Sequence, residues 1–177
     1  MCSGRVPREC RVQIQLIDLL CDYGADPNRG MPRVHGELEA ASALLRRGAN
    51  VDLPVAAVLG RVDDARQLLP SASPEDRHRA LALSAQFGNT EIVQMLLDSG
   101  EDPNRYNPPG FHSHSTPLHQ AALAGHEATV RLLVTQGARL DLKDTVWQGT
   151  PEGWASHGGK TRVADYLRAQ MEHMGKL

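Results

Sequence analysis

The sequence predicts an all-α solenoid of about five to six irregular units, each a pair of antiparallel helices. Three observations predict it. First, a phrase of glycine, eleven residues and glycine recurs as Gly36–Gly48, Gly88–Gly100 and Gly125–Gly137. Second, apolar or small residues stand four, five, eight and nine positions after each opening glycine, which marks one face of a helix. Third, only seven of the 177 residues are aromatic (two Trp, three Tyr, two Phe). Small aliphatic residues in their place let helices approach closely.

The periodic positions can be read in order. After Gly36 they are Ala40, Ala41, Leu44 and Leu45; after Gly60 they are Asp64, Ala65, Leu68 and Leu69, with Ala72 where the closing glycine should be. After Gly88 they are Ile92, Val93, Leu96 and Leu97; after Gly125, Thr129, Val130, Leu133 and Val134; after Gly159, Val163, Ala164, Leu167 and Arg168. A closing glycine suits a helix C-cap, where the chain turns left-handed. A shorter helix precedes each opening glycine. Its best copy is Thr116-Pro117-Leu118-His119-Gln120-Ala121-Ala122-Leu123-Ala124, with Thr116 as N-cap and Pro117 in the first helical position. Ser73-Pro74-Glu75-Asp76 starts another copy in the same manner. Each unit therefore reads as helix, glycine turn, helix, glycine cap, then an irregular connection.

TPLHQAALAGHEATVRLLVTQGARLD (116–141) resembles an ankyrin repeat, the TPLH…A…GH…LL…GA pattern. Segments 84–104 and 150–167 look like further copies, and 16–28, 35–52 and 56–69 like weaker ones. The resemblance implies units stacked side by side, with β-hairpin fingers along one edge. We place the units at 1–28 (incomplete), 29–50 (short), 51–72, 73–109, 110–144 and 145–177, the last as a C-terminal cap within a single domain.

The opening glycines are unevenly spaced. The steps from Gly36 to Gly60 and from Gly60 to Gly88 are too short for a finger plus two full helices, so no proper finger is expected between Asn50 and Leu53. Residues 29–35 leave room for one helical turn, which Pro32 interrupts. The step from Gly88 to Gly125 carries an insertion in its finger, Tyr106–Ser115. Glu152 stands where the pattern has a buried Leu, and its charge needs a partner or solvent. Residues 13–22 read as the second helix of an incomplete first unit. That unit lacks a polar outer face, so it is expected either to follow further repeats or to self-associate.

Composition narrows the function. Nineteen Lys+Arg against 21 Asp+Glu give a net charge of −2, which argues against nucleic acid as a partner. No run approaches the length of a membrane helix, so no membrane partner is expected either. Cys2, Cys10 and Cys21 are too few and too N-terminal for a disulfide framework. They read as reduced thiols in a cytoplasmic protein, with Cys21 on an apolar helix face. Sixteen Arg against three Lys are expected of a GC-rich, bacterial coding sequence, with no functional content.

No catalytic, cofactor or metal residue is assigned. His112, His114 and His119 are clustered, but they read as hydrogen-bonding groups of a finger and a unit, not as metal ligands. His126 and Asn89, after the turn glycines, read as structural. Ser113, Ser115, His114 and Asp141 offer a hydrolase triad on paper, yet nothing places a serine on a strained elbow or supplies an oxyanion hole.

Function by resemblance is non-catalytic binding of another protein, as scaffold, adaptor or inhibitor. In ankyrin proteins the fingers and the first-helix face form the gripping groove. Carried onto this chain, that groove takes Phe87, Tyr106, Phe111, His112, Gln120, Leu123, Trp147 and Trp154. Aromatic side chains exposed there suit interface hot spots. The alternative for Phe87, Trp154, Phe111 and Trp147 is packing between units. Two other readings stand beside this one. The chain is then the C-terminal structural part of a longer array, or an enzyme or effector with its site in the 106–119 finger.

Overall fold

The computed structural model describes residues 21–22, 42–43, 45–109 and 111–174. Eight helices fill residues 53–174. They are α1 (Leu53–Leu59), α2 (Val62–Leu68), α3 (Pro74–Phe87), α4 (Thr90–Asp98), α5 (Pro117–Ala124), α6 (Glu127–Thr135), α7 (Pro151–His157) and α8 (Thr161–Met174). They form four antiparallel pairs in two layers. The first helices α1, α3, α5 and α7 pack in a row, and the second helices α2, α4, α6 and α8 pack in another. The expectations for residues 1–20, 23–41 and 44, including Gly36, Ala40, Ala41 and Leu44, lie outside the described residues. Cys21, which is helical, carries a free, half-buried thiol.

Sequence chemistry starts and stops these helices. Asp52, Ser73 and Thr150 each accept a backbone N–H of the first turn, from Val55, Asp76 and Gly153, and each is followed by proline within two residues. Gly60, Gly88 and Gly125 end α1, α3 and α5 with φ of +66°, +73° and +83°. At Gly88 the demand is steric as well as conformational, because a Cβ there would lie 2.5 Å from His126 Nδ1. The core runs through both layers. Leu81, Ile92, Leu96, Leu118, Leu133 and Leu167 are fully buried, each contributing roughly 1.5–3 kcal/mol. Alanines 56, 80, 85, 121 and 122 let the first helices close on one another.

Two elements depart from the sequence reading. The helix after Gly60 lacks its closing glycine and ends differently. It passes into a 3-10 turn, Leu69–Ser71, because Pro70 cannot continue the α-helical pattern. Ala72 is then extended and Ser73 at once caps α3. That helix takes 14 residues, using the chain that a finger would otherwise occupy. The fingers also differ, since none of the described residues lies in a strand. Pro108 and Pro109 have no N–H for a ladder, and in the next finger a single carboxylate takes the N–H groups.

The units are stitched together by the residues after the turn glycines. Asn89 donates Nδ2–H to the carbonyls of Ala57 (2.6 Å) and Val58 (3.2 Å), and His126 donates Nε2–H to the carbonyl of Gln86 (3.0 Å). Each satisfies carbonyls at the end of the preceding unit's first helix. Asn104 bridges fingers, donating to the Gly137 carbonyl and accepting from Arg139 N–H at 2.7 Å. The buried hydroxyl of Thr129 meets that of Thr90 at 2.8 Å. Glu152 finds its partners in Arg168 Nη2 (2.5 Å) and Ser156 Oγ (3.0 Å), with its side chain 23% exposed. No described helix is long and apolar enough to cross a membrane.

Candidate functional site: a concave aromatic groove

The long finger between α4 and α5 is anchored at several points. The Tyr106 carbonyl accepts from His78 Nε2–H at 2.9 Å, and Tyr106 Oη–H donates to the Lys143 carbonyl at 2.6 Å. His78 is buried, and burial lowers its pKa from 6.5, as does the neighbouring Arg105; the Tyr106 carbonyl, Glu101 and Asp102 pull the other way. The loop is closed where Asn107 N–H meets the Ser115 carbonyl at 2.8 Å. Phe111, 7% exposed, turns inward onto Val58 and Leu83, with Phe87 beside it. Arg79 lies over its ring, 5.0 Å from the centroid.

The next finger is organised by one carboxylate. Asp144 is fully buried. It accepts N–H groups from Val146 (2.9 Å), Trp147 (2.6 Å) and Gly149 (2.7 Å), and the Trp154 indole N–H at 3.0 Å. Burial alone would raise this carboxyl. The donors from Trp147, Trp154, Val146 and Gly149 together outweigh that cost and hold it at about 2 against the ordinary 3.8. The result is a hydrogen-bonded tip that projects Val146 (59% exposed) and Trp147 (70% exposed) into solvent.

His119 fixes the same finger from below. Its Nδ1 accepts from the Thr116 hydroxyl (2.8 Å) and N–H (3.3 Å), and its Nε2–H donates to the Gly149 carbonyl at 3.1 Å. Burial lowers its pKa. The expected bonding within its own unit is present, and it extends to the next.

Between these fingers and the first helices lies a groove with two lobes that share Leu123, Trp147 and Trp154. The larger lobe, of about 670 Å³, reaches Gly149, Gly153 and His157. The smaller, of about 340 Å³, reaches Gln86, Phe87, Gln120 and the two finger histidines, His112 and His114. His114 stands edge-on to Trp147, with centroids 5.1 Å apart, and 5.6 Å from Trp154.

Of the eight residues assigned to partner binding, Phe87, His112, Gln120, Leu123, Trp147 and Trp154 line this groove. Tyr106 and Phe111 do not; they brace the finger. Gln120 is buried and donates to Ser115 Oγ at 2.8 Å, so it both lines the floor and ties it. The sequence reading missed His114, His157, Gln86 and above all Asp144 as parts of the site. A signal for Asp144 existed: an Asp followed five residues later by Gly, before a Thr-Pro cap, fits a side-chain-capped turn.

The serine–histidine arrangement does not assemble into a triad. Ser115 Oγ donates to the His112 carbonyl and accepts from Gln120 and Asn107, while Asp141 pairs with Arg139 at 2.7 Å. Among the described residues no group of three His, Cys, Asp or Glu is placed to hold a metal ion. The groove offers π faces, an aliphatic floor and amide and imidazole hydrogen-bonding groups, which is the chemistry of recognition.

Comparison with known proteins agrees with this architecture. The family model described as ankyrin repeats (3 copies) matches residues 34–144 and 81–174. A cyclin-dependent kinase 4 inhibitor B from Bos taurus is 34% identical over 126 residues, covering 69% of this chain and 93% of its own. Its Homo sapiens counterpart is 32% identical over 147 residues, covering 81% of this chain and 95% of its own. Cyclin-dependent kinase inhibitor 2A from Homo sapiens is 34% identical over 121 residues, or 66% of this chain and 75% of that protein.

Proposed function

Because the chain belongs to the ankyrin-repeat family and is a protein-interaction module, we propose that it is a non-catalytic regulator that grips a protein kinase in its concave groove. One observation carries the choice of surface: Trp147 is 70% exposed on a finger tip that Asp144 braces from within. A large apolar ring whose backbone is already tied down, and whose edge rests on His114, has less freedom to lose on binding, which makes it an effective anchor. Support for a kinase comes from the relatives, which are named as inhibitors of cyclin-dependent kinases and align over nearly their whole length.

A titration of purified cyclin-dependent kinase against wild type and Trp147→Ala tests both parts. Loss of an anchor worth about 2 kcal/mol weakens binding roughly thirtyfold. Circular dichroism should be unchanged, because the ring is largely in solvent. Equal affinity of the two proteins sinks the surface, and no binding by either sinks the kinase.

A further inference from the structure

We propose that the larger lobe of the groove takes a cationic side chain, an arginine or lysine carried by a partner segment. This deepens the reading of the groove as a protein-binding surface and rests on it. Trp147 and Trp154 form a corner, with ring centroids 6.2 Å apart and planes at 60°. Both rings line the lobe, together with Leu123, Gly149, Gly153 and His157. Two indole faces attract a cation through their quadrupoles. Leu123 offers an apolar wall for the stem of such a side chain.

Charge points the same way. The Asp144 carboxylate lies directly behind the corner, bonded to the Trp154 indole N–H at 3.0 Å and to the Trp147 N–H at 2.6 Å. The four donors that surround it, three backbone N–H groups and an indole, carry no formal charge. Its negative charge is therefore satisfied in hydrogen bonds but not neutralised, and it lies one hydrogen bond behind the Trp154 ring that lines the lobe. No Lys or Arg is among the residues lining the lobe. An incoming cation meets that field at the two indole rings, whereas an incoming carboxylate meets a like charge behind them.

Access is built in as well. Gly153 occupies the place that His119 fills one unit earlier, two residues after the proline of the Thr-Pro cap. A Cβ at Gly153 would touch only the Thr150 hydroxyl, at 3.6 Å, so the space in front of it is open. A volume of about 670 Å³ holds an arginine side chain with room for its backbone.

The chain's two tryptophans, Trp147 and Trp154, are the two reporters the test needs. In ¹⁵N-labelled protein their indole N–H resonances are followed during titration with the peptide acetyl-Gly-Ala-Arg-Ala-Gly-amide. Two further peptides replace the arginine by norleucine or by glutamate. Both indole signals should move with the arginine peptide, at half-saturation concentrations about fivefold lower than with norleucine, and should stay still with glutamate. Trp147→Leu, which keeps an apolar wall but removes the exposed π face, should bring the arginine peptide to the norleucine level. Equal shifts by the norleucine or glutamate peptide overturn the proposal, as does an arginine peptide that moves neither signal at millimolar concentration.

This outcome is separable from that of the kinase titration. Kinase binding that needs Trp147, with peptides that do not discriminate, overturns the cation site and leaves the groove. Discriminating peptides, with kinase binding indifferent to Trp147, leave the cation site and remove the kinase surface.

Discussion

Asp144→Asn perturbs the finger at its centre. The carboxylate is fully buried and receives four N–H donors. One oxygen serves Val146 and Trp147, and the other serves Gly149 and the Trp154 indole. In the variant an NH2 replaces one oxygen and faces two donors. Losing two charge-assisted bonds to part-buried donors costs about 3 kcal/mol. The carboxyl is held at about 2 against 3.8 in an ordinary setting. A group with a depressed folded-state pKa stabilises above its unfolded pKa, and the benefit disappears as pH falls through the folded value. Wild type should therefore lose about 2 kcal/mol from this residue between roughly pH 4 and pH 2. Asparagine has no such titration. Urea unfolding of both proteins, followed by far-ultraviolet circular dichroism at a series of pH values, isolates the effect. Other carboxylates are common to both and cancel in the difference. The gap should be about 3 kcal/mol near neutrality and close to about 1 kcal/mol toward pH 2. A gap that is absent, or that does not change with pH, refutes the claim that this carboxylate braces the finger.

Gly88→Ala places a Cβ in a φ of +73° and against the His126 ring, so it should cost about 2–3 kcal/mol. Gly137→Ala has a similar φ of +86° but open space, and should cost about 1 kcal/mol in the same thermal unfolding series. Phe111→Ala empties a buried site against Val58 and Leu83 and should lower stability by about 3 kcal/mol. Trp147→Ala should change it by less than about 0.5 kcal/mol, and a reversed order would show that the two rings have been assigned the wrong roles. Arg168→Ala removes the partner of Glu152 and Asp165 from an exposed surface, so the urea midpoint should scarcely move; a large drop would show that the Glu152 charge depends on this pair.

Much of the architecture was legible because each unit repeats the same local solution. Glycine in the left-handed region, a Thr-Pro or Ser-Pro start and an aliphatic face are all short-range signals, so Ser73, Gly88, Gly125 and Thr150 could be placed from their neighbours alone. Three of the four face positions are buried in α4 (Ile92, Val93, Leu96) and in α6 (Thr129, Val130, Leu133), with Leu97 and Val134 half-buried. Partnerships across units were less legible, because they depend on contacts dozens of residues apart. The direction of Phe111 is set by Val58 and Leu83 on two earlier helices, and no local pattern encodes it. Tyr106 looks like a finger aromatic in sequence, but its hydroxyl reaches Lys143, 37 positions away. The 14-residue length of α3 follows from Pro70 shortening the element before it, a coupling that periodicity counting does not see. Of the scarce aromatics, Phe87, Trp147 and Trp154 lie along the groove, whereas Tyr106 and Phe111 pack into the finger. The finger's organiser, Asp144, is a charged residue, and aromatic content does not point to it.

Hydrogen exchange of the whole chain, alone and with bound cyclin-dependent kinase, tests the central claim most directly. That claim is that the fingers and first helices of the last three pairs form the partner surface. The account predicts added protection at residues 144–157, at 84–88 and in the 111–116 segment, with the outer helices α4 and α6 unchanged. Protection confined to α4, α6 and α8, with the Trp147 finger exchanging as in the free protein, would contradict it.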